Sequence, residues 1–210
     1  MPVIDDITLA FVESHFKRTL KKPVQADILV GTDPRCAVVE EICDKIGERS
    51  HGKIKFRRVR SEDAPGVRIL PNFTYLGLPT GTMTGTFVHM LADASSGALF
   101  TPEDIRKEIA GLKRKVGLAV VIAVSNLESA EQARWAYELA RINPKINVTV
   151  IDGVTFPEKT MQLGIRFTPT TIINGRVRVI GTARPDELLA KIRLALQESK
   201  SETKGGLRKK

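Results

Sequence analysis

The chain has 210 residues, 42% of them hydrophobic, and a formal net charge of +9, which predicts a globular protein of one large or two small domains. No apolar run approaches the roughly 20 residues that a membrane helix needs, and the first residues lack the pattern of a secretion signal. With Cys36 and Cys43 as its cysteines, the chain cannot be a disulfide-rich scaffold, and we expect a reducing, cytoplasmic location.

The first half of the chain alternates predicted helices and strands. Residues 5–20 place Ile7, Phe11 and Phe16 near helical spacing, with acidic residues first and basic residues last, which is typical of an amphipathic helix. There follow a strand at 26–31, a helix capped by Thr32 or Asp33 that reaches residue 47, a strand at 53–60, two strands around Pro71-Asn72 and a helix at 84–94.

A predicted connector helix at 101–115 divides the chain. Thr101 and Asp104 have the spacing of a capping box, with Pro102 at the first helical position. Beyond it we predict a buried strand at 118–125, a helix at 128–141, a strand at 146–152, a short helix at 156–163, a hairpin around Asn174-Gly175 and a last helix at 185–197.

The two halves repeat one order of elements. When Pro65 is placed on Pro169, the strands that follow align without gaps and Gly77 falls on Gly181. The first half has only residues 61–63 where the second has a short helix. We therefore predict a first half at 1–97, a connector at 98–116, a second half at 117–199 and a basic, disordered tail at 200–210.

This order, with a proline before the third strand, resembles the thioredoxin fold. The paired halves resemble the N-terminal domain of the flavoprotein subunit of alkyl hydroperoxide reductase, and they are similar to archaeal protein disulfide oxidoreductases. The stretches that carry the resemblance are KKPV (21–24), YLGLPTG (75–81), NPKINVTVIDGVTF (143–156) and TPTTIING (168–175). The resemblance covers residues 5–197 and implies an α/β protein of two tandem thioredoxin-like folds, with mixed sheets, flanking helices and no second helix in the first half.

The resemblance implies a cis peptide bond before each of the two prolines, Ala64–Pro65 and Thr168–Pro169. It also implies a groove there, in which the main chain of Thr168, or of Ala64, pairs with an extended peptide. The alternative is that Pro65 and Pro169 only shape the hairpins that follow them.

Redox members of this fold carry a Cys-x-x-Cys pair at the start of the first helix of the active half. The matching positions in the second half are Asn126 and Ser129, and neither side chain can exchange disulfides. Both residues are ordinary helix caps or, alternatively, polar groups of a binding site. The transfer of electrons toward a peroxidase, which the resemblance would otherwise imply, therefore cannot be carried over.

Cys36 is the candidate thiol of the first half. The sequence predicts it in the first turn of a helix beside Arg35, and both features favour a thiolate. The alignment places it at the first cysteine position or one past it. Cys43 lies two turns further, about 10.5 Å along the helix, so it cannot form a disulfide with Cys36, and we expect it to be a core thiol.

We therefore expect a pseudoenzyme of the thioredoxin fold, in which a binding or adaptor surface holds a protein or extended peptide. The candidate binding residues are Asn126, Ser129, Thr168, Pro169, Ala64 and Pro65. One alternative is a one-cysteine, glutaredoxin-like thiol–disulfide oxidoreductase that acts through Cys36. Another is weak binding of nucleic acid or an acidic partner through Lys204, Arg208, Lys209 and Lys210. We expect no cofactor, no membrane contact and no metal, since the histidines lack ligand spacing.

Overall fold

The structure is a computed structural model that describes the backbone of residues 3–205 and the side chains of residues 3–197. Its helices are α1 (Asp6–Thr19), α2 (Cys36–Glu48), α3 (Thr82–Ser96), α4 (Glu103–Ala110), α5 (Leu127–Ile142), α6 (Pro157–Gln162) and α7 (Pro185–Gly205). Its strands are β1 (Val24–Val30), β2 (Ile54–Arg60), β3 (Gly66–Leu70), β4 (Phe73–Leu76), β5 (Val116–Ile122), β6 (Ile146–Asp152), β7 (Thr170–Ile173) and β8 (Val177–Ile180). This is the order of elements that the sequence predicts.

The strands of both halves form one mixed sheet of eight strands, in the order β2-β1-β3-β4-β6-β5-β7-β8. Each half contributes four neighbouring strands. The halves join where β4 pairs in parallel with β6, from Phe73 beside Val148 to Leu76 beside Ile151. The two predicted thioredoxin-like sheets are thus continuous, and the repeat is built into a single core.

The helices cover the two faces of the sheet unequally. The main core lies on one face, where α2, α3, α5 and α7 pack on alternate, apolar residues of the strands and α1 packs on α2 and α3. On the other face, Leu29, Leu76, Val121 and Ile151 form a smaller cluster beneath α6 and its flanking residues. The first half has no helix between β2 and β3, as the sequence predicts. Its uncovered face instead carries Asp27 with Arg57 and Arg68 paired on either side.

The connector helix begins later than expected. α4 starts at Glu103, and no side chain caps it. The hydroxyl of Thr101 is buried without a hydrogen-bond partner in the described part of the chain. The main-chain N–H groups of Phe100 and Thr101 instead donate to the buried carboxylate of Glu138 on α5, at 2.6 and 2.5 Å. The predicted capping box of Thr101 and Asp104 is wrong, because a carboxylate distant in sequence satisfies the main chain there.

The last helix is longer than the sequence pattern indicates. α7 continues to Gly205, because residues 198–204 contain neither glycine nor proline to end it. Residues 200–205 of the predicted disordered tail are therefore helical, which corrects that boundary. The side chain of Lys204 and all of Arg208, Lys209 and Lys210 lie outside the described residues. No helix within residues 3–205 combines the length and apolar character needed to cross a membrane.

Candidate functional site

The two prolines occupy matching places in the two halves. The peptide bonds Ala64–Pro65 and Thr168–Pro169 are both cis. The carbonyl oxygen of Pro65 accepts a hydrogen bond from the N–H of Gly77 (3.0 Å), and that of Pro169 accepts one from Gly181 (2.8 Å). Both prolines are buried, whereas Ala64 and Thr168 are partly exposed. The repeat read from the sequence thus holds in individual hydrogen bonds.

The buried side chains at the start of α2 and α5 also correspond. The Sγ of Cys36 accepts a hydrogen bond from the N–H of Gly31 (3.3 Å), just after β1. The Oγ of Ser129 accepts one from the N–H of Ala123 (3.1 Å), just after β5. Cys36 is 5% exposed and Ser129 is 0% exposed. These two residues therefore hold the same position in their halves.

Three residues earlier, a second pair matches. The Oδ1 of Asp33 accepts a hydrogen bond from the N–H of Arg35 (2.8 Å), and the Oδ1 of Asn126 accepts one from the N–H of Glu128 (2.9 Å). Asp33 therefore corresponds to Asn126, as Cys36 corresponds to Ser129. Cys36 stands at the second, buried position of the Cys-x-x-Cys pattern, with Asp33 at the first. Its predicted placement at the first position or one past it is wrong, because Cys36 lies five residues after its donor Gly31, whereas Ser129 lies six residues after its donor Ala123.

Arg35 immobilises the first-half loop. Its guanidinium donates to Asp33 through Nε and Nη2, at 3.0 and 2.6 Å from the two carboxylate oxygens, and this holds the pKa of Asp33 below its usual range. Nη1 donates to the carbonyl oxygen of Thr155 (2.7 Å), and the guanidinium lies 5.9 Å from the ring centroid of Phe156. Arg35 therefore ties the first half to the loop before α6 of the second.

A cleft of about 1020 Å³ opens beside this loop, between residues 30–34 and residues 60–64. It lies where the first half lacks its second helix. Its lining includes the charged residues Asp33, Arg60 and Glu62, together with Ala64. The first-half site is therefore an open cleft with three charged side chains in a mixed lining.

The second-half site joins two of the residues that the sequence selects, Asn126 and Thr168, whereas Ser129 is fully buried. The Nδ2 of Asn126 donates to the carbonyl oxygen of Thr168 (3.2 Å). Within residues 3–197, no acceptor takes a hydrogen bond from the N–H of Thr168. Two large apolar side chains flank this contact in sequence and point to solvent: Leu127 is 77% exposed and Phe167 is 67% exposed. An open donor thus stands beside exposed apolar surface.

Gln132 of α5, which no sequence pattern singles out, supports this site through buried hydrogen bonds. Its side chain is 0% exposed. Nε2 donates to the hydroxyl of Thr171 (3.0 Å), and Oε1 accepts from the N–H of Ala183 (2.7 Å). Gln132 therefore fixes β7 and the loop after β8 against α5. Its partners are 39 and 51 residues away along the chain, so no local motif identifies it.

The groups at the four dithiol positions are a carboxylate, a thiol, an amide and a hydroxyl. Such a set can bind and donate hydrogen bonds, but it holds no pair of sulfur atoms to exchange with a disulfide. The remaining thiol, Cys43, is 0% exposed, and burial raises its pKa, which makes it unreactive. No group of three or more metal-ligating side chains occurs within the described side chains.

No family model matches the sequence, and no curated protein matches it. Solved structures are similar over almost the whole chain. The N-terminal domain of alkyl hydroperoxide reductase AhpF from Enterococcus faecalis superimposes with a TM-score of 0.81 at 16% identity, covering 90% of this chain and 99% of that one. A protein disulfide oxidoreductase from Aeropyrum pernix K1 gives a TM-score of 0.84 at 15% identity, covering 94% and 95%.

Sso1120 from Sulfolobus solfataricus is also similar, with a TM-score of 0.65 at 14% identity and coverage of 82% and 99%. At such identities the likeness concerns the fold, and the activity has to be argued from the site itself. The chain has the tandem thioredoxin-like fold that these proteins share.

Proposed function

We propose that this chain is a redox-inactive thioredoxin-fold protein that binds an extended segment of a partner protein beside Thr168 and Pro169. The single observation that carries the proposal is the open N–H of Thr168 next to the hydrogen bond from Asn126. A partner's carbonyl oxygen would accept from this N–H, as in the addition of a strand to a sheet edge. Leu127 and Phe167 would cover an apolar side chain of the same segment.

The second half suits a peptide better than the first. In the first half, the N–H of Ala64 already donates to the carbonyl oxygen of Ser61 (3.4 Å). The adjoining cleft carries Asp33, Arg60 and Glu62, whose hydration an apolar segment would have to displace. In the second half the flanking side chains are apolar and exposed, so contact with a peptide removes apolar surface from water.

Loss of dithiol chemistry is the other part of the proposal. Asp33, Asn126 and Ser129 stand where thiols would be needed, and Cys36 is buried beneath the loop. We infer that the chain catalyses no disulfide reduction of its own. We also infer a cytoplasmic location, which the two free cysteines support.

Selection of binders from a random peptide library on the immobilised full chain tests the peptide site. The discriminating variant is Leu127→Ser with Phe167→Ser, since both side chains are exposed and their loss leaves the core intact. The matched control is Leu194→Ser, which is 43% exposed. Leu194 lies on α7, far from the peptide site. Its neighbour Leu196 accepts a hydrogen bond from Arg114, which precedes β5 at the opposite edge of the sheet.

We expect selected peptides to bind the unsubstituted chain and the Leu194→Ser variant equally, and to lose at least tenfold in affinity for the double variant, about 1.4 kcal/mol. Equal binding to all three proteins would overturn the peptide site. An insulin-reduction assay run beside it should show no rate above the reductant alone. A rate that disappears in Cys36→Ser would overturn the inferred inactivity.

The one-cysteine alternative keeps one observation in its favour: Cys36 is a free thiol in the first turn of α2. Its burial opposes attack on a protein disulfide. Alkylation of the folded chain, compared with the Cys36→Ser variant, measures its reactivity directly. A Cys36 that reacts as fast as an exposed, activated thiol would make this alternative the better function.

A further inference from the structure

One edge of the sheet is rich in lysine, and it is the edge opposite the peptide site. Strands β1, β2, β4, β5, β6 and β8 all run in one direction. Their amino-terminal ends therefore meet at this edge, while Asn126 and Thr168 lie at the other. The lysines that precede or border these strand ends are Lys21, Lys22, Lys53, Lys113, Lys115 and Lys145, and all are exposed. We call these residues the lysine edge.

The lysine edge consists of two clusters that follow the internal repeat. In the first half, the N–H of Val24 donates to the carbonyl oxygen of Lys53 (2.8 Å), which places Lys53 beside the Lys21-Lys22 segment. In the second half, the N–H of Val116 donates to the carbonyl oxygen of Lys145 (2.9 Å), beside Lys113 and Lys115. The same arrangement of cations thus occurs twice.

Main-chain contacts hold a lysine of each cluster in place. The Nζ of Lys53 donates to the carbonyl oxygen of Leu20 (2.9 Å), and the Nζ of Lys145 donates to the carbonyl oxygen of Lys113 (3.0 Å). These partners are neutral, so the ammonium charges remain. The two clusters are therefore fixed in position and still positively charged.

The strand-end segments of this edge carry no carboxylate of their own. The segments that form the edge, residues 20–25, 51–55, 69–74, 111–117, 143–147 and 173–177, contain neither aspartate nor glutamate. None of the six lysines forms a salt bridge with the described carboxylates, whereas Lys17, Lys45, Lys107 and Lys159 each do. Among the helical lysines whose side chains the structure describes, four of five are thus paired, with Lys191 as the exception, whereas the six of the lysine edge are not.

We propose that the lysine edge binds the phosphate backbone of a double-stranded nucleic acid. Four strand-to-strand steps separate β1 from β5, which places the two clusters about 19 Å apart at about 4.8 Å per step. A duplex carries one charge per about 1.7 Å of axis, so one duplex can contact both clusters. Phe73, the one Phe, Tyr or Trp residue in these segments, is 0% exposed. The edge therefore lacks the stacking surface that single-strand binders use.

Binding of a fluorescein-labelled DNA duplex of random sequence, followed by anisotropy at several NaCl concentrations, tests this proposal. The variant of the lysine edge, called the rim variant below, carries Lys22→Gln, Lys53→Gln and Lys145→Gln. A control with the same change of net charge carries Lys45→Gln, Lys107→Gln and Lys159→Gln, each of which is salt-bridged. A third variant neutralises the carboxyl-terminal cations Lys204, Arg208, Lys209 and Lys210 with glutamine. All are made in the full chain.

We expect the rim variant to lose at least tenfold in duplex affinity and the salt slope to fall by about 2.7, or about 0.9 for each lost phosphate contact. The helix control and the tail variant should retain most of the affinity. The proposal is overturned if the rim variant binds like the control, or if only the tail variant loses binding. It is also overturned if poly-glutamate or anionic vesicles bind through the same lysines while the duplex does not. Retained peptide binding by the rim variant keeps this test separate from the proposed function.

Discussion

Asn126, just before α5, donates a hydrogen bond from its side-chain Nδ2 to the carbonyl oxygen of Thr168, just before β7, at 3.2 Å. The same side chain caps α5 through Oδ1, which accepts from the N–H of Glu128. Asn126 therefore makes two structural contacts, one with Thr168 and one with the first turn of α5. Both contacts are open to measurement, because different substitutions remove them separately.

The substitution Asn126→Asp should keep the helix cap and lose the hydrogen bond to Thr168. We expect the free energy of unfolding to fall by about 1 kcal/mol. Asn126→Ala should lose the cap as well, for a further decrease of about 1 kcal/mol. Urea unfolding of the three proteins at neutral pH measures both steps. An Asn126→Asp variant as stable as the unsubstituted chain would show that the contact with Thr168 contributes nothing.

The substitution Asp33→Cys should create a disulfide in the first half. A thiol three residues before Cys36 reproduces the Cys-x-x-Cys spacing that forms a disulfide at the start of a helix in redox proteins. We expect oxidised glutathione to close a bond between the new thiol and Cys36, so that titration in denaturant detects only Cys43. Asp33→Ser, which loses the same contact with Arg35, is the control and should keep Cys36 titratable. Detection of every thiol in oxidised Asp33→Cys would contradict the match of Asp33 with Asn126 and of Cys36 with Ser129.

His89 and His15 should make the protein less stable in mild acid. Their ring centroids lie 4.4 Å apart between α3 and α1. Burial, followed by His15 and Arg134, lowers the pKa of His89 from 6.5 to about 4. Burial also lowers the pKa of His15, with smaller effects from Arg18, Asp93 and Arg134.

Because the unfolded chain binds these protons first, the stabilisation is complete above pH 6.5 and is lost as the pH falls toward 4. We expect His89→Gln to lose less stability than the unsubstituted chain between neutral pH and about pH 5. Urea midpoints at the two pH values provide the comparison. The control is His51→Gln, at a side chain that is 60% exposed. Equal losses in all three proteins would contradict the prediction.

Removal of Glu138 should lower the free energy of unfolding more than removal of most other polar side chains. Its carboxylate accepts from the N–H groups of Phe100 and Thr101 while only 2% exposed. Glu138→Ala leaves two main-chain donors without partners, and we expect a loss of about 2–3 kcal/mol in urea unfolding. Glu138→Gln keeps an acceptor and should lose less. Glu131→Ala, at an exposed position of the same helix, should change stability by under about 0.5 kcal/mol; a loss matching that of Glu138→Ala would contradict the prediction.

Much of the fold follows from local sequence. The strand at 146–152 and the hairpin around Asn174-Gly175 are marked by β-branched runs and turn residues, and the structure confirms both. The paired prolines and the glycines after the hairpins reveal the repeat, because each recurs at the same place in the order of elements. These signals depend on a few neighbouring residues, so a linear reading finds them.

The roles of Cys36 and Thr101 could not be read in the same way. Cys36 falls at the buried position because it follows its donor Gly31 by five residues, whereas Ser129 follows Ala123 by six, and only these hydrogen bonds reveal the difference. Thr101 fits a capping pattern, yet Glu138 takes the neighbouring N–H groups. In both cases the deciding partner is set by packing.

The sequence by itself determined the order of elements, the recurrence of a proline before each hairpin and a glycine after it, and the presence of Asn126 and Ser129 at the start of the helix that follows residue 125. Composition, periodicity and atom type are properties of the chain alone. Only the tertiary structure decided that both units share one sheet, that Arg35 joins the first loop to Thr155, and that lysines from separate segments gather at a single edge. These relationships arise when strand pairing brings together residues that lie far apart along the chain, and no local pattern encodes that proximity.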